Sequence, residues 1–265
     1  MLVSVLPAVH SAPFGYKFRE EHGDAIEDFD DAVQEHRNAV QAWVQARQTF
    51  WQNRNNNTGG ALVQAGQDRL MALNARIRAR IELMQTRVEA TEALDEEAKD
   101  DLLGMLDEYI AWYEDKTDEL GDAETAEEQG NIWREMIQRR ENLGVTGRYI
   151  AGDSMVAVLE KFLERAGEVM ADLQDRIDEL EADGEDVSDI QDMYDELQDS
   201  LDAAEELKGE AQDKFAELLL IADLGEGQDI FRDGVDLAHD ARQELRGFRQ
   251  GVKDIIQEMR ALIAG

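Results

Sequence analysis

Both prolines of the chain, Pro7 and Pro13, fall within its first thirteen residues, so from Phe14 to Gly265 no pyrrolidine ring interrupts a helical hydrogen-bond ladder. Beyond that point apolar residues recur at spacings of three and four, which gathers them on one side of an α-helix. Ile26, Phe29, Val33, His36, Val40, Trp43, Arg47 and Phe50 make the first such stripe. No stretch alternates apolar and polar residues for long enough to make a strand. Helices of about 25–35 residues exceed the usual length of about twelve, and narrow stripes pack best at shallow crossing angles. The expected class is all-α: an elongated antiparallel bundle of about seven long helices with coiled-coil-like packing.

The punctuation gives provisional bounds. The first helix ends at NRNNNTGG, and a second carries Leu70, Leu73, Ile77, Met84 and Val88 as far as Leu94, where Asp95 can cap a third running to about Leu120. GDAETAEE precedes a fourth that ends in ENLGVTG, and Asp153 can cap a fifth carrying Leu159, Phe162, Ala166, Leu173 and Ile177. ADGED ends that one. Ser188 with Gln191 forms a capping-box pattern for the sixth, which LGEG closes. In the last helix Phe231, Ala238, Leu245, Val252 and Met259 form one heptad column, and Ala241, Phe248, Ile255 and Leu262 follow three residues behind its last four members. An exposed apolar strip for a partner is expected above all on this helix.

MQTRVEATEAL at 84–94 aligns with LQDRIDELEAD at 173–183, and LLGMLDEY at 102–109 with IQDMYDEL at 190–197. The period suggests an internal duplication of about 88 residues, over 62–150 and 151–237, inside a single α-helical bundle spanning 20–265. Residues 1–19 read as an apolar N-terminal arm or the remnant of a secretory signal, ending in the small-residue patch His10-Ser11-Ala12 without a basic leader. With the sequon Asn56-Asn57-Thr58, this places the protein outside the cytoplasm or at the cell surface, with a cytoplasmic location as the alternative. No run approaches the ~20 apolar residues that a transmembrane segment needs.

The chain carries 61 acids against 27 bases, a net charge of −34 that repels nucleic acid and anionic membrane surfaces alike. Seven Lys stand against twenty Arg, and Asp and Glu are nearly equal, a composition that resembles proteins of salt-adapted archaea and bacteria. Cysteine is absent, which excludes disulfides, thiolate metal sites and a cysteine nucleophile.

The densest acid lies in RIDELEADGEDVSDIQDMYDEL, residues 176–197. Asp183, Glu185, Asp186 and Asp189 are candidate metal ligands there, because calcium and other hard divalent cations take carboxylate oxygens. Their spacing departs from the twelve-residue calcium loop, and a helix N-terminus favours acids anyway, so capping and hydration compete with an ion site. A di-metal bundle needs paired E-x-x-H motifs, whereas Asp236-Leu237-Ala238-His239 is the one D/E-x-x-H match; His36 reads as a core histidine on an apolar stripe. Ser154 lacks a nucleophile elbow, and GVTGRYIAG lacks the lysine of a phosphate loop. Arg69, Arg76, Arg78, Arg80 and Arg87 read as an ion-pair strip toward neighbouring helices. Trp43, Phe50 and Trp51 either anchor a partner or plug the end of the bundle.

These features point to a non-enzymatic structural or protein-interaction module of halophile type, with no cofactor. Its expected partners are another protein or a second copy, met through helix faces. The alternative is a helical-bundle binding protein with an inter-helix ligand or divalent-cation site. At molar salt the Debye length falls to about 3 Å, so carboxylates that repel in dilute buffer cease to do so. Dialysis from molar to millimolar salt is therefore expected to weaken the helical circular-dichroism signal, and an unchanged spectrum would contradict the salt-adapted reading.

Overall fold

The computed structural model describes residues 23–221 and 223–264. These form six α-helices, α1 (Gly23–Gln52), α2 (Asn56–Glu89), α3 (Glu96–Asp122), α4 (Ala126–Ala182), α5 (Ser188–Glu217) and α6 (Leu224–Ala264), with a 3-10 turn at Leu218–Leu220. No strand occurs among the described residues, so the all-α class holds. The N-terminal arm, His10 and His22 lie outside them. The chain divides into two compact units, Met1–Arg140 and Glu141–Gly265.

In the first unit α1, α2, α3 and the start of α4 run up and down in chain order. Their contacts count in opposite directions along neighbouring helices. Across α1 and α2, His36 meets Arg76 while Trp43 meets Arg69. Across α2 and α3, Asn74 meets Tyr113 while Gln85 meets Asp107. Across α3 and α4, Tyr109 meets Arg139 while Tyr113 meets Met136. Leu73, Ile81, Leu106, Leu120 and Met136, all at most 4% exposed, fill the space between the helices. Each contributes roughly 1.5–3 kcal/mol by leaving water. Two polar side chains of this core bond the backbone of a facing helix: the Asn74 amide donates to the Tyr113 carbonyl at 2.8 Å, leaving Asn74 Oδ1 buried without a partner, and the Tyr113 hydroxyl donates to the Met136 carbonyl at 3.2 Å.

In the second unit α4 from Glu141 onward, α5 and α6 pack together. The heptad seam of α6 turns inward, where Phe248, Val252, Ile255 and Met259 meet Leu197 and Leu201 of α5 and Leu173 and Ile177 of α4. The strip expected to offer the last helix to a partner is thus buried inside its own unit.

Seven helices are expected and six are present among the described residues, because the fourth and fifth are one. Gly144 and Gly152 look like helix ends in sequence, yet both lie within α4 and admit neighbours too close for any side chain. A Cβ on Gly144 would stand 2.7 Å from Leu224, and one on Gly152 would stand 2.3 Å from the Phe215 ring. Asp153 is therefore not a cap; it sits within the helix, where burial pushes its carboxyl above the ordinary range. Two further start signals move. Ser188 is the first residue of α5 without capping it, and LGEG opens α6 rather than closing the helix before it, with Asp223 Oδ1 accepting from the Glu226 amide at 2.8 Å. The aligned segments at 84–94 and 173–183 both end a helix, and those at 102–109 and 190–197 both lie early in the next. Any pair of amphipathic hairpins would share that placement, and it establishes no duplication.

Phe215 is 1% exposed and lies between Gly152 and Gly234, each of whose added Cβ would fall under 3 Å from its ring. Gly104 in α3 has nothing within 4 Å of the same position. Replacing an unencumbered helical glycine by alanine stabilises by up to about 1 kcal/mol, whereas overpacking a core costs about 1–3 kcal/mol. Gly104→Ala should raise the denaturation midpoint in molar salt and Gly152→Ala should lower it; equal shifts would show that the close approach at Phe215 is not tight.

Candidate functional site

The acidic loop lies between α4 and α5, and its four candidate ligands, Asp183, Glu185, Asp186 and Asp189, are all exposed. Gly184 takes φ +88°, a left-handed conformation that ends α4 at little steric cost. The amides of Asp183, Gly184 and Glu185 donate to the carbonyls of Glu179, Glu181 and Leu180. Asp186 Oδ1 accepts from the Ser188 hydroxyl at 2.7 Å and the Ser188 amide at 3.2 Å, and these bonds hold its carboxyl below the ordinary range. Asp189 stands in the first turn of α5, where it complements the helix dipole. Among the described residues no three acidic or histidine side chains converge as a metal centre would require.

The arginines of α2 divide. Arg78 reaches Glu114 of α3 at 2.8 Å, as an ion-pair strip requires. Arg69 instead lies between two rings, 4.4 Å from the centre of Trp43 and 5.1 Å from that of Trp133, so a guanidinium joins α1, α2 and α4 by stacking. His36 is half-buried on α1 with its Nδ1 3.5 Å from Arg76 Nη1. Burial, then the charges of Arg76 and Arg69, hold its pKa below the ordinary value. On α3, Lys116 is buried with Glu119 and Glu135 each at 2.7 Å. Burial opposes its charge, but the two carboxylates outweigh burial and hold its pKa above the usual value.

The most unusual surface is the tip where α1 turns into α2. From His36 to Gln67 the chain has no Asp or Glu, although 61 acids in 265 residues would place about seven in such a stretch. It holds three arginines, Arg37, Arg47 and Arg54, and no lysine. Trp51 is 57% exposed at the end of α1, with Arg54 stacked 4.4 Å above its ring and Phe50 edge-on to it at 5.9 Å. Val44, 41% exposed, adds apolar surface about two turns back on the same helical face. Phe50, Arg54, Asn55, Asn56, Gly59 and Gly60 line a shallow depression beside it. The turn is fixed by a capping box: Asn55 Oδ1 accepts from the Thr58 amide at 3.0 Å, and Thr58 Oγ1 accepts from the Asn55 amide at 3.2 Å. The expected aromatic end thus divides, with Trp43 covered by arginines and Trp51 open. Sequence reasoning noted these aromatics but missed the missing acids around them.

The unfolded chain binds a proton at His36 before the folded chain does, so folding stability falls as pH drops through the ordinary histidine value of 6.5. His36→Gln keeps an acceptor for Arg76 and cannot charge. Denaturation in molar salt at pH 7.5 and 5.5 should therefore show a smaller loss in His36→Gln than in the unaltered chain; parallel losses would remove His36 from the balance.

No protein-family model, curated protein or solved structure matches the chain, so the functional reading rests on this geometry.

Proposed function

We propose that the protein is a non-enzymatic structural or protein-interaction module adapted to high salt, working outside the cytoplasm or at the cell surface, with surface shape and charge as its active property. The observation that carries this reading is the α1–α2 tip. Interface centres are enriched in aromatic residues and arginine and depleted in Lys, Asp and Glu. The tip has that composition, with Trp51, Phe50, Arg47 and Arg54 and no Lys, Asp or Glu from 36 to 67. Its capping box holds it on two long helices, so little ordering would be needed on contact.

A second reading draws on a groove between α4 and α5, floored by Leu163, Met170, Tyr194 and Leu201 with Asp202 and Glu205 at its edge. Apolar walls with a few polar groups suit an inter-helix ligand, and Asp202 and Glu205 are the carboxylates a divalent cation there would draw on. Hydroxyl-radical footprinting in molar salt separates the two readings. The interaction reading expects the peptide bearing Trp51 to be protected in extract at native abundance and exposed in the dilute purified chain. Protection by added calcium at 183–189 or along the groove, with the tip exposed throughout, would replace it by the second reading.

A further inference from the structure

We infer that the α1–α2 tip is a self-docking surface that meets the same tip of a second copy, side by side. The inference rests on the interaction reading and names the partner. The first argument is charge. Two copies of a chain with a net charge of −34 oppose carboxylate to carboxylate over most of their surface, and like charges brought together cost free energy. The tip is free of its own acids for a considerable depth. Glu35 lies 17 residues before the end of α1 and Asp68 lies 12 residues after the start of α2, or about 25 and 18 Å at 1.5 Å per residue.

The second argument is complementarity at the same end of the unit. Gln129 donates to the Val63 carbonyl at 3.1 Å and Gln67 donates to the Gly121 carbonyl at 3.2 Å. This register sets the α3–α4 turn level with the second turn of α2, so the start of α2 and the end of α1 project past it by about 9 Å. Asp122, Glu124 and Glu127 are exposed on that turn and form an acidic shoulder below a basic, aromatic tip. When two such ends pack side by side about a two-fold axis, Trp51 and Phe50 of each copy meet at the centre. Arg47 and Arg54 of each copy then face the shoulder of the other. Two-fold pairing makes every such contact twice. High salt suppresses the long-range repulsion of the two bodies and weakens the arginine–shoulder attraction too, so at molar salt burial of the tryptophans is the main attraction and the arginines act chiefly by keeping like charges out of contact.

The test is light scattering of the purified full chain in molar sodium chloride across a dilution series. The mass should rise toward two chains with concentration. Trp51→Glu and Arg54→Glu should each weaken association at least tenfold with unchanged helical circular dichroism, since both side chains stand at the surface. Leu220→Glu, at an 85% exposed leucine of the second unit, should leave association unchanged. A chain that stays monomeric at every concentration overturns self-docking, and Trp51 protection in extract would then keep the interaction reading alive with a different partner. Association that survives both tip variants, or that Leu220→Glu abolishes, also overturns the assignment.

Discussion

Apolar burial is the attraction on which this structure depends, because it acts between helices without regard to their charge. At 4 Å in water two unit charges interact by only about 1 kcal/mol, and salt reduces that further, whereas one buried leucine is worth roughly 1.5–3 kcal/mol. In the second unit Leu173, Ile177, Ile190, Leu197, Phe248 and Ile255 sit at 6% exposure or less, and a set of that size outweighs a diffuse repulsion among hydrated carboxylates. The carboxylates must therefore stay outside. That requirement gives long helices with narrow apolar stripes, since each turn can give only one or two positions to the core.

The polar groups that reach the interior recover part of their lost hydration, although Asn74 Oδ1 and Arg69 Nε stay without a hydrogen-bond partner. Asn74 bonds the backbone of the facing helix, Lys116 holds two carboxylates at the protein surface, and Arg69 rests between tryptophan faces. Arginine suits the last arrangement because its guanidinium is flat, delocalised and weakly hydrated, and lysine would leave one ring face uncovered. This gives a physical reason for at least some of the preference of twenty Arg over seven Lys, beyond any adaptation to salt.

The legible parts of the fold were those written in periodicity. The stripes of α2 and α6 and the Asp95 cap, whose Oδ1 accepts from the Ala98 amide at 2.8 Å, follow from local sequence alone. Glycine misled, because a helix end and a helix contact use the same residue. Gly184 is a true end, with φ +88°, while Gly144 and Gly152 are contacts whose partners, Leu224 and Phe215, lie more than sixty residues away. Only tertiary structure distinguishes the two. The direction of the α6 seam was hidden for the same reason, since a heptad pattern specifies a buried face without naming the helix that covers it. Of the candidate sites, the acidic loop was conspicuous because it is rich in charge, and the structure spreads its side chains around a turn instead of gathering them.

In a protein coated with anions, information about partners lies where the coat is interrupted. A carboxylate on this surface costs little and improves hydration, so on the interaction reading a 32-residue span without one answers an opposing requirement. Packing does not impose it: Gln41, Gln45, Gln48, Gln52 and Gln64 are exposed positions of that span where Glu would serve a helix equally well. The amides keep those positions polar while removing the charge that a contacting surface would have to desolvate or oppose. Trp51 and Arg54 at the apex supply the area and the stacked cation that such a contact uses. On the interaction reading, the absence of acids from His36 to the end of α1 and the exposure of an aromatic at that end are two consequences of one constraint, that this face must be able to lose its water.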